Sequence, residues 1–63
     1  MNAAIENYHK AIEINPDFKE AYIHLGDAVK KTGDVKSAME NYRKAIKIDP
    51  RDSEPYINLA LLL

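Results

Sequence analysis

The sequence repeats itself with a period of 34 residues. Sliding the chain along itself by that period aligns 29 residue pairs, of which 13 are identical. A repeat of this length is typical of solenoid proteins, in which each unit packs mainly on its neighbours and cannot bury its apolar face alone. The chain has only 63 residues, so it forms one small domain whose stability depends on what covers its ends.

The spacing of apolar residues predicts four amphipathic helices. The first, over 1–14, and the third, over 35–48, carry the same apolar stripe, and each ends just before an Asn-Pro or Asp-Pro pair. Asp17 is the predicted N-cap of the second helix, and Asp52 or Ser53 is the predicted N-cap of the fourth. The repeated pattern therefore alternates two kinds of helix.

A short turn joins the second and third helices. Gly33 suits the left-handed C-terminal cap of one helix, and Asp34 suits the N-cap of the next. A connection of so few residues makes the two helices antiparallel neighbours. The predicted fold class is all-α, with about four helices in antiparallel helix–turn–helix units of an α-solenoid.

The period and the helix–turn–helix content resemble the tetratricopeptide repeat over the whole chain. Residues 19–52 look like one complete repeat, 1–18 resemble the second helix of a repeat (helix B), and 53–63 resemble the first (helix A). We interpret the chain as a slice of a longer array. The residues that match the family's packing positions are Tyr22, Leu25, Gly26, Ala38, Tyr42, Ala45 and Pro50. Two residues depart from the family pattern: Val29, where an aromatic residue is common, and Ala60, where a glycine is expected.

The resemblance implies a non-catalytic module for protein–protein interaction. In the family, the A helices line a concave groove that takes a peptide or a helix of a partner protein. The residues carried over to that groove are Glu20, Ile23, His24, Asp27, Lys30, Lys31, Glu54, Ile57, Asn58 and Leu61.

One subclass of the family clamps the acidic C-terminal tails of chaperones with lysine and asparagine side chains. Ile23, Asp27 and Asn58 occupy three of the clamp positions. Only Asn58 matches, and the Asp27 carboxylate would repel the carboxylate of such a tail. The sequence therefore predicts no binding of chaperone tails.

The alternative function is structural: copies of the chain stack end to end through their half repeats. The helix A half of one copy would dock the helix B half of the next, giving a ring, an open superhelical filament or a closed dimer. The residues expected at these self-association ends are Ala4, Tyr8, Ala11, Tyr56, Leu59, Leu62 and Leu63.

Composition and motifs weigh against other classes of function. The net charge is −1, which argues against nucleic-acid and electrostatic membrane binding. His9 and His24, the only histidines, lie on different predicted helices, and there is no catalytic or phosphate-binding motif. We therefore predict no enzyme, cofactor or metal site. His24 is on the predicted groove, where an exposed imidazole is favoured over a pH-sensitive contact. The absence of cysteine is compatible with the cytosol.

Overall fold

Four α-helices form the chain in a computed structural model that describes residues 3–62. They are α1 (Ala3–Ile14), α2 (Lys19–Lys31), α3 (Val35–Ile48) and α4 (Glu54–Leu62). No strand occurs within residues 3–62, and the predicted all-α fold is confirmed.

Each helix packs on the next one in the chain. The contact between α2 and α3 is the most extensive, α1 packs on α2, and α4 packs on α3. The extents along the principal axes are 27 × 26 × 13 Å, so the helices lie in a thin slab. This serial packing is the arrangement of a solenoid, in which contacts run between neighbouring units.

The hydrophobic core lies between α2 and α3. Ile23 of α2 is 1% exposed, and Ala38, Tyr42 and Ala45 of α3 are fully buried. Small residues on α3 and Gly26 on α2 allow the two helix backbones to approach closely. Partly buried side chains that pack against this cluster are Tyr22, Val29, Leu59 and Leu62.

The family packing residues divide into three groups. Leu25, like Gly26, is buried on α2, and the three α3 residues lie in the core. Tyr22 is half-buried, with the Lys44 ammonium 5.8 Å from its ring centroid. Pro50 is exposed, because it lies in the turn after α3.

The turn between α2 and α3 has the predicted geometry. Gly33 has φ of +91°, a left-handed conformation that side chains disfavour. Asp34 is the N-cap of α3, and its Oδ1 accepts a hydrogen bond from the Ser37 backbone N–H at 3.1 Å. Hydrogen bonding from Ser37 also holds the pKa of Asp34 below its ordinary value.

The predicted N-cap of α2 was wrong. Phe18 occupies the N-cap position and makes no side-chain hydrogen bond to the helix. Asp17 lies one residue earlier, and its backbone N–H donates to Asn15 Oδ1 at 3.2 Å. The Asn15 side chain thus forms a local turn in the segment that precedes the helix.

The turn between α3 and α4 contains the same kind of hydrogen bond, from a backbone N–H to a side-chain oxygen two residues earlier, and adds an ion pair. Asp49 Oδ1 accepts from the Arg51 backbone N–H at 3.1 Å, and Asp52 Oδ1 accepts from the Glu54 backbone N–H at 3.0 Å. The Lys19 ammonium, at the start of α2, lies 2.6 Å from Asp49 Oδ2 and 3.1 Å from Asp52 Oδ2. The beginning of α2 is therefore tied to the turn that leads into α4.

Candidate partner-binding surface

The predicted groove residues lie on α2 and α4, and most of them are accessible. On α2, Glu20, His24 and Lys31 are exposed, whereas Asp27 and Lys30 are half-buried. On α4, Glu54, Ile57 and Leu61 are exposed, and Asn58 is half-buried. We call these nine residues the groove surface.

Ile23 is the exception, and its predicted place in an accessible groove was wrong. Its side chain is 1% exposed and belongs to the core cluster with Ala38, Tyr42 and Ala45. Leu59 of α4 also packs against that cluster. A side chain that is so completely covered stabilises the fold and offers no surface to a partner.

A small pocket of about 300 Å³ lies between α1 and α2. The rings of Tyr8 and His24 stack in its wall, with centroids 5.7 Å apart and planes inclined by 21°. Asp27 and Lys31 add a carboxylate and an ammonium, and Ala4 and Ala28 complete the lining. The pocket therefore combines three predicted groove residues with two residues that were assigned to the self-association end.

Asp27 is fixed in the pocket by the core tyrosine. The Tyr42 hydroxyl donates a hydrogen bond to Asp27 Oδ1, although Tyr42 comes from α3 and its ring is fully buried. Burial, followed by this hydrogen bond, raises the pKa of Tyr42 above its ordinary value. The sequence assigned Tyr42 to packing alone, and no local pattern pairs it with Asp27.

The predicted self-association ends are only partly open. Ala4 is exposed, and Tyr8 and Ala11 are half-buried. Leu59 and Leu62 are half-buried and pack against the core cluster, so they are less exposed than expected for residues at a self-association end. Leu63 lies outside the described residues.

The open apolar face of α4 is formed by different residues. Tyr56 is 47% exposed, Ile57 is 57% exposed and Leu61 is 75% exposed. Ile57 occupies the place in the repeat that Ile23 occupies in α2, yet Ile23 is 1% exposed. We call Tyr56, Ile57 and Leu61 the α4 open face.

A second cleft, of about 350 Å³, lies where α1, α2 and α3 meet. Its lining includes His9, Val29, Asn41 and Lys44, and none of the predicted groove residues contributes to it. The Asn41 side-chain amide donates to the Ser37 carbonyl oxygen at 3.0 Å. One polar group of the cleft lining is therefore already hydrogen-bonded within α3.

Neither a metal-binding cluster nor a membrane-spanning helix occurs within residues 3–62. No group of three or more His, Cys, Asp or Glu side chains there could hold a metal ion. None of the helices in that range is long and apolar enough to cross a membrane.

Comparison with known families agrees with the helical repeat. The family model described as TPR repeat, the tetratricopeptide repeat, matches residues 1–33 and 26–63, which together span the chain. No curated protein matches the sequence. Repeats of this family generally mediate protein–protein interaction and commonly bind protein partners, and the family is typically a non-catalytic scaffold. The matched repeats and the serial packing of four antiparallel helices place the chain in the tetratricopeptide repeat family.

Proposed function

We propose that the groove surface binds a segment of a partner protein, either an extended peptide or a helix. The observation that carries the proposal is the pocket between α1 and α2, because it is concave and lies beside accessible residues of α2. Its volume of about 300 Å³ is at the lower end of small-ligand sites. Such a pocket suits one side chain of a peptide better than a whole cofactor.

The chemistry of the surface supports a protein ligand. Ile57 and Leu61 offer apolar area on α4, and the α2 side offers hydrogen-bonding and charged groups. The groove surface contains three acidic and two basic side chains, and the acidic ones would repel the phosphates of a nucleic acid. Protein interfaces typically combine an apolar centre with a polar rim of this kind.

An unbiased peptide selection tests the proposal. Peptides selected from a random library on the intact chain would be titrated into labelled protein and followed by amide chemical shifts. We expect the shifts to concentrate on residues 20–31 and 54–61. Lys31→Glu should change the affinity several-fold, because the charge lies in the pocket wall.

A matched charge reversal provides the control. Lys47 is exposed on α3 and lies in neither described cleft, so Lys47→Glu should leave peptide affinity unchanged. Chemical-shift changes confined to α3 would contradict the proposed site. Equal effects of Lys31→Glu and Lys47→Glu on peptide affinity would contradict it as well.

End-to-end association is a second candidate function, and the α4 open face favours it. Ile57 remains 57% exposed, whereas its counterpart Ile23 is only 1% exposed. Exposed apolar area of this kind often marks an interaction site. If copies stack, sedimentation velocity should show an average mass that rises with protein concentration. Ile57→Glu should then keep the protein monomeric, whereas a wild-type monomer at every concentration would rule this candidate out.

A further inference from the structure

The pocket between α1 and α2 contains two opposite charges that are not paired with each other. Asp27 and Lys31 lie one helical turn apart on α2, and both line the pocket. Side chains at this spacing are neighbours on a helix surface and can form an ion pair. Both ion pairs within residues 3–62 are made by Lys19 instead. The pocket wall therefore offers a carboxylate and an ammonium that each lack a charged partner in the described part of the chain.

The Asp27 carboxylate is held in place from the core. The Tyr42 hydroxyl donates to Asp27 Oδ1, and the Tyr42 ring is fully buried, so the packing of α3 fixes this acceptor. Asp27 is half-buried, and its carboxylate accepts no second hydrogen bond from residues 3–62. Lys31 is exposed, and its flexible stem lets the ammonium adjust to a ligand. The pocket thus combines a fixed acceptor with an adjustable donor.

The rest of the lining consists of aromatic and small side chains. The rings of Tyr8 and His24 stack with centroids 5.7 Å apart, and Ala4 and Ala28 complete the wall. Aromatic rings of this kind pack well against methylene groups and carry a polar tip. The volume of about 300 Å³ suits one peptide side chain with an aliphatic stem and a polar end.

Four classes of side chain can be compared as occupants of this pocket. An arginine or lysine would pair with Asp27 but would be repelled by Lys31, and a glutamate or aspartate would meet the reverse pattern. An aliphatic side chain would cover both charged groups without a hydrogen bond, which is unfavourable. A carboxamide carries N–H donors and a carbonyl acceptor and has no charge. Of these four classes, it alone satisfies both charged groups together.

We propose that this pocket is a subsite for a glutamine side chain of the bound peptide. The glutamine N–H group donates to the Asp27 carboxylate, and the glutamine carbonyl oxygen accepts from the Lys31 ammonium. The two methylene groups pack against the Tyr8 ring and the alanines, so glutamine fits better than the shorter asparagine. This subsite rests on the proposed function, peptide binding at the groove surface, and specifies which side chain of the peptide enters the pocket.

Substitution of one peptide residue tests the subsite. The probe is the tightest-binding peptide from the selection on the intact chain. Intermolecular nuclear Overhauser effects to the ring protons of Tyr8 and His24 identify the peptide residue that occupies the pocket. That residue is then made glutamine, arginine, glutamate or leucine, and fluorescence anisotropy of the labelled peptides measures the four affinities.

The wild-type chain should bind the glutamine peptide about tenfold more tightly than each of the other three, because only the amide pairs with both charged groups. Lys31→Met removes the repulsion of a cation and should bring the arginine peptide to at least the affinity of the glutamine peptide. Asp27→Asn removes the repulsion of an anion and should do the same for the glutamate peptide.

Two controls separate the selection of a side chain from effects on folding. Asp27→Asn keeps a side-chain oxygen that can accept from the Tyr42 hydroxyl, so far-UV circular dichroism should show unchanged helix content. Lys47→Met removes a charge from an exposed residue of α3 that lines neither described cleft. It should therefore retain the wild-type order of affinities.

Equal affinities of the four peptides for the wild-type chain would overturn the subsite, as would tightest binding of the arginine, glutamate or leucine peptide. An order of affinities that neither Lys31→Met nor Asp27→Asn changes would overturn it too. A selected peptide that binds residues 20–31 and 54–61 without contacting Tyr8 and His24 would do the same, but it would support binding at the groove surface. If the selection yields no binding peptide, the proposed function fails together with the subsite.

Discussion

At the scale of single residues, Tyr42 connects the core to the candidate binding surface. Its ring lies against Gly26 and is fully buried, and its hydroxyl donates to Asp27. One side chain of α3 therefore influences both the distance between α2 and α3 and the orientation of the Asp27 carboxylate in the pocket. Two substitutions separate these roles.

Gly26→Ala should destabilise the protein, although alanine favours a helix more than glycine does. The gain in helix propensity is about 1 kcal/mol, whereas overpacking a close contact costs about 1–3 kcal/mol. Chemical denaturation should therefore show a lower midpoint. In a Tyr42→Leu background the contact is absent, and the same alanine should be neutral or stabilising. An equal effect of alanine in both backgrounds would contradict the packing argument.

Tyr42→Phe should lower the free energy of unfolding by about 1–3 kcal/mol, because it removes a hydrogen bond to a charged acceptor. Thermal or chemical denaturation measures the loss. The control is Tyr56→Phe, whose ring is 47% exposed and whose effect should stay within about 0.5 kcal/mol. A loss no larger than that of the control would argue against the Asp27 contact.

The same hydroxyl predicts a dependence on alkaline pH. The folded pKa of Tyr42 is raised above its ordinary value of 10.0. Its stabilising contribution is therefore complete below pH 10.0 and falls above it, because the unfolded tyrosine ionises first. Denaturation midpoints measured across this range should fall less steeply for Tyr42→Phe than for the wild type. Parallel curves would contradict this assignment.

At the scale of the helices, the ends are organised mainly by short polar contacts. Asn15 and Asp49 form the same local turn one repeat apart. The second turn also receives Lys19, whose ammonium bridges Asp49 and Asp52. These contacts raise the pKa of Lys19. For Asp49, the Lys19 contact is the main cause of a lowered pKa, and for Asp52 it is the Glu54 backbone N–H, followed by Lys19.

The ion pairs predict a loss of stability in acid. Depressed carboxylate pKa values stabilise the fold above the ordinary value of 3.8, and this contribution is lost as the pH falls through the lower folded values. Lys19→Met should make thermal stability less dependent on pH in this range. Added salt should also reduce this pH dependence, because it screens the ion pairs. Lys47→Met is the control, because Lys47 is exposed and belongs to neither ion pair. If both variants have the same acid profile as the wild type, the bridge is not stabilising.

At the scale of the whole molecule, the position of a helix in the series of packed helices determines whether its residues are buried or exposed. Ile23 and Ile57 are identical residues one period apart, but their exposures are 1% and 57%. The first is enclosed by a cluster that includes residues of α3 and α4. The second lies on a helix with one face uncovered within the described part of the chain.

Glutamate at these two positions should give opposite results. Ile23→Glu places a charge in the core, at a cost of about 4 kcal/mol or more, which is comparable to the whole stability of so small a domain. Far-UV circular dichroism should show an unfolded chain. Ile57→Glu should remain helical, with a change in unfolding free energy within about 1 kcal/mol. Equal loss of helix in both variants would contradict the difference in burial.

Much of the fold follows from local properties of the sequence. The helix stripes, the Gly33–Asp34 turn and the Asp-Pro stop each depend on residues close together in the chain, so pattern and propensity suffice to predict them. The start of α2 was predicted at the wrong residue, because Phe18 stands at the N-cap without a side-chain hydrogen bond, and a position that no polar cap marks has no local sequence signal.

By itself, the sequence determined the helical class, the 34-residue period and the family, because repeat identity and helix periodicity are written along the chain. Only the tertiary structure decided that Ile23 is core, that Tyr42 holds Asp27, and that Tyr8 and His24 form one pocket wall. The physical reason is that burial and hydrogen bonding depend on which helices surround a residue. In a repeat protein, equivalent residues have the same local sequence pattern but different neighbours in space.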